Sequence, residues 1–417
     1  MSILIYNTAI WLYSLVIKTG AIFNKKAKDL LQGRKDWKKT LSSFDFSHDP
    51  WIWVHCASLG EFEQGRPLIE EIKKNHPEYK ILITFFSPSG YRIRSNYENA
   101  DVVMYMPSDT RANAAFFVKL VNPVLAIFVK YEFWYHHLHQ LHLRGIKCIL
   151  ISAVFREKQI FFKWYGGMFR KLLQGFDAIF LQDRNSVSLL QKIGITGNVF
   201  ISGDTRYDRV ASIAASVKKN ETVEKFAAGF KVFIAGSSWE ADERVIKESL
   251  SVFPINWKLI IAPHEIHRAH LEFIKNLFGE YMVFYSQVNS ESNLSDKKIL
   301  VIDNIGMLSD LYSYGNIAFV GGGFQKSGIH NILEPAIFGL PVIFGPFYQK
   351  FVEAGELKEA GFAFPIQNAG ECKQILKKLI NDEDDSLKLR RSLQQFMSSK
   401  TGATAAILKH IEQKGWV

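Results

Sequence analysis

Cysteine is scarce in this chain. Only Cys56, Cys148 and Cys372 occur, far apart and without a CxxC pair, which argues against a disulfide framework or thiolate zinc site and fits a reducing compartment. The P-loop pattern GxxxxGK[ST], the dinucleotide fingerprint GxGxxG and the HExxH pair are all missing, so ATP hydrolysis, dinucleotide chemistry and zincin chemistry lose their support. No DxD-like metal motif stands at a suitable strand end, and there is no internal repeat or low-complexity tract. Acidic charge is in the minority, with 41 Asp and Glu against 51 Lys and Arg, a formal net charge of +10.

That excess is concentrated. Residues 24–39, NKKAKDLLQGRKDWKK, hold seven basic side chains against Asp29 and Asp36. They lie six residues after MSILIYNTAIWLYSLVI, seventeen residues with no charged side chain. An apolar segment flanked by a basic cluster is the pattern of a membrane anchor held on the cytoplasmic side. Seventeen residues fall short of the ~20 a spanning helix needs, and Asn7, Ser14 and Lys18 share roughly one helical face. The expectation is a helix in or on the inner leaflet, not a full span. With the charge after the apolar run and no small-x-small site following, a cleaved signal peptide does not fit. Outside this segment no basic stripe is interleaved with aromatics, so no nucleic-acid partner is expected.

At 417 residues the chain is long enough for two domains, and its 47% apolar and 22% charged content is that of a folded protein. Strand-like runs recur at 51–56, 79–87, 101–107, 124–131, 146–154, 177–183 and 198–204. A second series follows at 231–238, 257–263, 281–287, 297–303, 316–323 and 340–346. Most are almost continuously apolar, as strands buried on both faces are, and helical patterns separate them. The fold class is α/β, two Rossmann-like domains with parallel sheets facing across a cleft. The expected divisions are a membrane-associated helix at 1–23, a first domain at 24–206, a linker at 207–230, a second domain at 231–395 and a C-terminal helix at 396–417.

Ligands of such sheets bind beyond the carboxyl ends of the strands. The richest of these segments is GGGFQKSGIHNILEPAIFGLPVIFGP (321–346). Three glycines end a strand, and a helix expected from Ile329 or His330 offers its N-terminus to an anion. Asn331 and Glu334 share its first turn, where a carboxylate can accept from ribose hydroxyls. In APHEIHRAH (262–270) the histidine spacing of three is wrong for zinc, and His264 or Arg268 is expected to meet a nucleotide. In HHLHQLH (136–142) His139 and His142 share a helical face, and the cluster reads as a solvated surface rather than a metal site. In HCASLGEFEQG (55–65), Glu61 and Glu63 sit where a strand gives way to a helix. Either is explained as the acid that helix starts attract. Glu61, next to Gly60 at the mouth of the cleft, also suits a base for an acceptor hydroxyl. The residues alone leave both readings open.

The segment HCASLGEFEQGRPLIEEIK resembles the HxxSxGE stretch of the 3-deoxy-D-manno-octulosonic acid (Kdo) transferases, and IAFVGGGFQKSGIHNILEPAIFGLPVIFGP resembles their AFVGGS…GGHNxLEPA…PVxxGP stretch. KYEFW (130–134) and DNIGMLSDLYSYG (303–315) are similar to further family segments in the same order. The resemblance implies a GT-B glycosyltransferase that moves Kdo from CMP-Kdo to a lipid A precursor at the cytoplasmic face of the inner membrane. It implies Glu61 as the base, Glu63 as a helix-start acid, and Glu132 and Arg206 (where the family often has Lys) as transition-state stabilisers. Pro263, His264, Ile305, Gly306, Met307, Asn331, Ile332, Leu333 and Glu334 are implied as the CMP-binding positions. No metal and no cofactor beyond the donor are implied. The alternative is a GT-B transferase or epimerase acting on a UDP-sugar.

Overall fold

The computed structural model describes residues 3–289, 294 and 296–417. The chain packs as two compact units, Met1–Arg209 with Lys400–Val417, and Val210–Ser399. The first unit's strands are β1 Trp51–Cys56, β2 Lys80–Phe85, β3 Val102–Tyr105, β4 Leu125–Val129, β5 Lys147–Ala153, β6 Ala178–Leu181 and β7 Val199–Ile201. They form one sheet in the order β3-β2-β1-β4-β5-β6-β7, every neighbouring pair parallel. The second unit holds β8 Lys231–Ser238, β9 Trp257–Pro263, β10 Met282–Phe284, β11 Ile299–Val301, β12 Ile317–Val320, β13 Val342–Phe344 and β14 Ala363–Pro365. Their order is β10-β11-β9-β8-β12-β13-β14, again all parallel. Two Rossmann-like α/β halves therefore stand as expected. Only β14, three residues after Gly361, was not legible as a strand.

Burial explains the sheets. Every residue of β1, β4 and β6 is buried, since right-handed crossovers lay helices on both faces of a parallel sheet. A charged side chain inside this interior is Lys258 of β9, 1% exposed. Its ammonium donates to the carbonyls of Phe226 and Leu294, both at 3.0 Å, and lies over the rings of Phe226 and Phe230. These contacts compensate a cation that has left water.

Two divisions differ from expectation. The interval 207–230 is mostly helical, spanning most of helix Thr205–Ala215 and all of Glu221–Ala227. Residues 396–417 are not one helix: Glu383–Ser399 ends, and Ala403–Gln413 begins after the chain has returned to the first unit. There Ile407, Leu408 and Ile411 join a core with Leu68, Ile69 and Ile72 of helix Leu59–Asn75. The Asp208 carboxylate caps the returning helix by accepting from the backbone N–H groups of Gly402 and Thr404.

The first two residues of the expected N-terminal helix lie outside the described residues. The helix itself runs Ile3–Gly20 and is long and apolar enough to cross a membrane by length and composition. One face is docked on the first unit. Tyr6 donates to Asp109 (2.5 Å), Asn7 meets His136 (2.7 Å) and Tyr13 stacks on Phe86. The rest of the helix exposes Leu4, Ile5, Trp11, Leu12, Leu15 and Val16.

Candidate functional site

In both sheets strand order reverses once, between β1 and β4 and between β8 and β12. Such switch points open a crevice at the strand carboxyl ends. Glu61 follows β1 and Glu132 follows β4, so the first crevice is flanked by two carboxylates.

Glu61 lies in the first turn of helix Leu59–Asn75, and its Oε2 accepts from the Ser58 N–H at 3.1 Å. It is therefore itself the reciprocal acid of a capping box, a role expected of Glu63. Glu63 instead pairs with Arg94 (2.7 Å) and Arg66 (3.7 Å). The cap does not exhaust Glu61. Its pKa is pushed up to about 7, first by burial and then by the charge of Glu132, against the pull of the Ala57 and Ser58 N–H groups and Lys130. A carboxyl poised near neutrality is suited to take a proton. Glu132 is 8% exposed. Its Oε2 lies 3.1 Å from His55 Nε2 and accepts from Trp134 Nε1 at 2.5 Å, and the same indole N–H faces His55 Nε2 at 3.1 Å.

Arg206 opens helix Thr205–Ala215 and is held by Asp204, with Nη2 to Oδ2 at 2.7 Å. Two ties lay this helix along Leu59–Asn75: the Thr205 hydroxyl donates to the Gln64 carbonyl, and Arg209 pairs with Glu70 at 3.3 Å. Arg206 is thereby fixed beside the helix that carries Glu61.

The second crevice is a cavity of about 340 Å³ lined by Ser237, His264, Gly306, Ser309, His330, Asn331 and Glu334, among others. That volume lies in the ~300–1,000 Å³ range of small-molecule sites. Glu334 accepts from Ser309 and Asn331, both at 2.9 Å. The His264 and His330 rings stack at 4.2 Å, with Trp239 against His264 at 4.7 Å. Burial and the neighbouring His264 lower the His330 pKa to about 4, and its Nε2 accepts from the Trp239 indole at 3.2 Å. Burial lowers His264 as well. These imidazoles supply stacking and hydrogen bonds, not a cation.

The glycine-rich loop is locked by close approach. A Cβ on Gly323 would lie 2.5 Å from the Gly345 backbone N, and Gly322 has φ +88°. The buried Asp242 carboxyl joins this loop to the β8 loop by accepting from the Gly322 and Trp239 N–H groups, both at 2.9 Å, and burial pushes its pKa up to about 6.

Four of the nine positions implied for CMP line the cavity: His264, Gly306, Asn331 and Glu334. Ile332 and Leu333 are buried in the core and Ile305 is 87% exposed. Pro263 ends β9, and Met307 caps a short helix, Leu308–Leu311. The helix expected from Ile329 or His330 begins at Leu333 and is five residues long. The intervening residues are spent on the loop that carries His330 and Asn331, and Asn331 Oδ1 accepts from the Leu333 N–H. Ser237, Ser309 and His330 were not singled out from sequence. Ser237 lies near the end of β8 and Ser309 in the quoted segment after β11, and only those places hinted at a role.

The histidine cluster at 136–142 divides. His139 and His142 are exposed, but His136 and His137 are buried, and His137 Nδ1 meets Asp109 at 2.6 Å. Arg268 is exposed and pairs with Glu272 instead of lining the cavity. Among the described residues no three His, Cys, Asp or Glu side chains are grouped as a metal would need.

Residues 31–209 match the family model of the 3-deoxy-D-manno-octulosonic-acid (Kdo) transferases. Over those residues this chain is similar to the Kdo transferases. Two Kdo-transferase relatives, from Aquifex aeolicus and Haemophilus influenzae, are 28% and 25% identical over 339 and 369 residues. The alignments cover 79% and 86% of this chain, and 86% and 85% of the relatives. These alignments extend beyond the residues that match the family model. A bifunctional glycosyltransferase/methyltransferase of Fusobacterium nucleatum is 26% identical over 82% of this chain, which spans only 54% of that protein's length. Among solved structures, UDP-GlcNAc 2-epimerase from Neisseria meningitidis has a TM-score of 0.61 at 16% identity, covering 87% of this chain and all of that one. MurG of Acinetobacter baumannii has a TM-score of 0.55 at 10% identity, covering 88% and 99%. At such identities these two share the fold.

Proposed function

We propose that the protein is a glycosyltransferase that moves Kdo from CMP-Kdo to a lipid A precursor and releases CMP. The observation that carries the reading is the pairing of Glu61, its pKa pushed up to about 7, with Glu132 at the switch point of a sheet within the residues that match the Kdo-transferase family model. In this reading Glu61 takes the proton of the acceptor hydroxyl as its oxygen attacks the anomeric carbon. Glu132 and Arg206 stabilise the transition state, Arg206 by countering charge that develops on the leaving phosphate. The cavity after β8 and β12 holds CMP, with Glu334 and Asn331 on the ribose and the stacked rings as a wall. The segments Pro263-His264, Ile305-Gly306-Met307 and Asn331–Glu334 frame it. No cofactor beyond the donor and no metal enters this reading.

Nucleotide protection tests the donor. CMP at one hundred times its Kd is expected to stabilise the fold by about 2.7 kcal/mol, visible as a raised Tm, with UDP at the same concentration inactive. Protection by UDP and not CMP would replace this reading with a UDP-sugar enzyme.

The same reading puts the protein on the cytoplasmic face of the inner membrane, with helix Ile3–Gly20 lying on the lipid. Its docked face bonds to Asp109 and His136, its apolar side chains are exposed, and exposed lysines follow it. A Trp11→Glu, Leu15→Glu variant is expected to lose about tenfold or more in partitioning onto anionic vesicles, because each apolar side chain is worth ~1.5–3 kcal/mol when buried. Equal flotation of variant and wild type would refute the placement.

A further inference from the structure

Between helices Tyr135–Leu143 and Gly167–Gln174 the first unit holds a cavity of about 780 Å³ that neither crevice accounts for. Its floor is apolar. Leu138, Leu172 and Cys148 of β5 are buried there, and burial holds the Cys148 thiol in its neutral form. Met168 and Ile3 continue the apolar wall. The lip is polar, for His139, His142 and Lys171 also line the cavity and are exposed. An apolar interior with a few polar groups at its mouth suits a ligand that is apolar except at one end.

The place of the cavity in the fold narrows the occupant. Ile3 opens the helix whose outer face is apolar and exposed. Trp164 and Tyr165, exposed just before helix Gly167–Gln174, are side chains of the kind that gather where lipid meets water. From Ile3 the helix passes Tyr135, with Tyr6 against that ring at 5.7 Å, and reaches Phe86 with Tyr13. Phe86 packs on Trp134 at 4.7 Å, and Trp134 donates to Glu132. One helix thus joins the cavity to the first crevice, and the ten residues from Ile3 to Tyr13 span ~15 Å.

We propose that this cavity takes an acyl chain of the acceptor, with the chain on the floor of Leu138, Cys148 and Leu172 and the polar lip against the acyl linkage. The proposal rests on the reading of the acceptor as a lipid A precursor, a sugar headgroup that carries acyl chains. A bilayer phospholipid has the chain but no sugar to occupy the crevice. The acceptor has both parts, and the helix between the two places sets their separation.

Filling the cavity tests this. A Cβ on Gly167 would meet only Arg170 Nη2, at 3.7 Å, so Gly167→Leu adds apolar bulk at the wall without displacing backbone. Met168→Trp adds bulk from the next position. Each is expected to raise KM for a tetra-acylated acceptor about tenfold, the effect of excluding about two methylenes from an apolar site. KM for CMP-Kdo and kcat are expected to stay within about twofold. An unchanged KM for the acceptor, or an equal rise in KM for CMP-Kdo, would overturn the proposal.

Independently of transfer, an acceptor with a diazirine at its chain ends is expected to crosslink on illumination to Leu138, Met168 or Leu172, and Gly167→Leu to lower that yield about tenfold. Labelling confined to the outer face of Ile3–Gly20 would overturn the proposal. So would equal labelling of the cavity by a diazirine phospholipid of the same chain length, which would make it a general lipid site. If the wild type lacks Kdo transfer, the functional reading fails by itself, while the crosslinks still decide whether the cavity holds the chain.

Discussion

Glu61→Gln is expected to lower kcat by about three orders of magnitude while making the protein more stable above neutral pH. The first effect is the contribution of a general base, roughly 10²–10⁴-fold. The amide keeps the size of the side chain and can still accept the Ser58 N–H, so the helix start survives. The second effect follows from the raised pKa. In the unfolded chain this carboxyl releases its proton near pH ~4.3, but in the folded protein it holds the proton to about 7. Between those values the unfolded state binds fewer protons, so folding stability falls as pH rises. A shift of this size amounts to about 3 kcal/mol at pH 8, a cost the amide does not carry. Thermal melts are expected to give the variant a higher Tm near pH 8, a difference that closes as the pH falls below the unfolded value of ~4.3. For the wild type, kcat/KM rises through pH 7 and levels above it. A variant that transfers Kdo normally would remove Glu61 from the mechanism, and one no more stable at pH 8 would remove the raised pKa.

Glu334→Ala is expected to weaken CMP binding about 100-fold, measured by calorimetry. The carboxylate organises Ser309 and Asn331 in the free protein. In the proposed complex with CMP it would accept from ribose hydroxyls, bonds of the charge-assisted class worth about 1.5–3 kcal/mol each. Truncation also releases the Asn331 side chain, whose Oδ1 caps helix Leu333–Ile337. Because the residue is half-buried at the cavity wall and not in the core, folding is expected to survive. An unchanged Kd for CMP would mean that the nucleotide lies elsewhere.

The parts of the fold that one stretch of sequence determines were legible from it. Thirteen of the fourteen described strands fall inside apolar runs, because a strand buried on both faces favours apolar side chains and keeps a polar one, such as His55, Thr84 or Lys258, only where it finds hydrogen-bond partners. The three-residue β14, ending in Pro365, offers too short a pattern. The candidate site was legible in outline for a related reason. Strand ends mark crevices, and Glu61, Glu132, His264, Gly306, Asn331 and Glu334 all follow strand ends.

What the sequence hides is set by distant partners. His136 and His137 look like surface residues until Asp109, far back in the chain, is brought against them. The contact between His55 and Glu132 spans 77 positions. The late start of the helix at Leu333 reflects the fit of the Gly323 and Gly345 backbones, which no local propensity encodes. Glu61 satisfies both the capping reading and the acid–base reading, and only its burial and the nearness of Glu132 separate it from an ordinary helix-start acid.

The return of residues 400–417 to the first unit has a bearing on how the chain is made. Helix Ala403–Gln413 completes a core whose other members are translated some three hundred codons earlier. Synthesis runs from the N-terminus, and domains ordinarily fold as they emerge. Here the order is inverted: the second unit has its whole sequence outside the ribosome before the first can close. Until then Leu68, Ile69 and Ile72 lack part of their cover while the apolar Ile3–Gly20 segment is already exposed. The nascent protein thus presents that apolar segment while its first half is still open, and seals it only after its second half is finished.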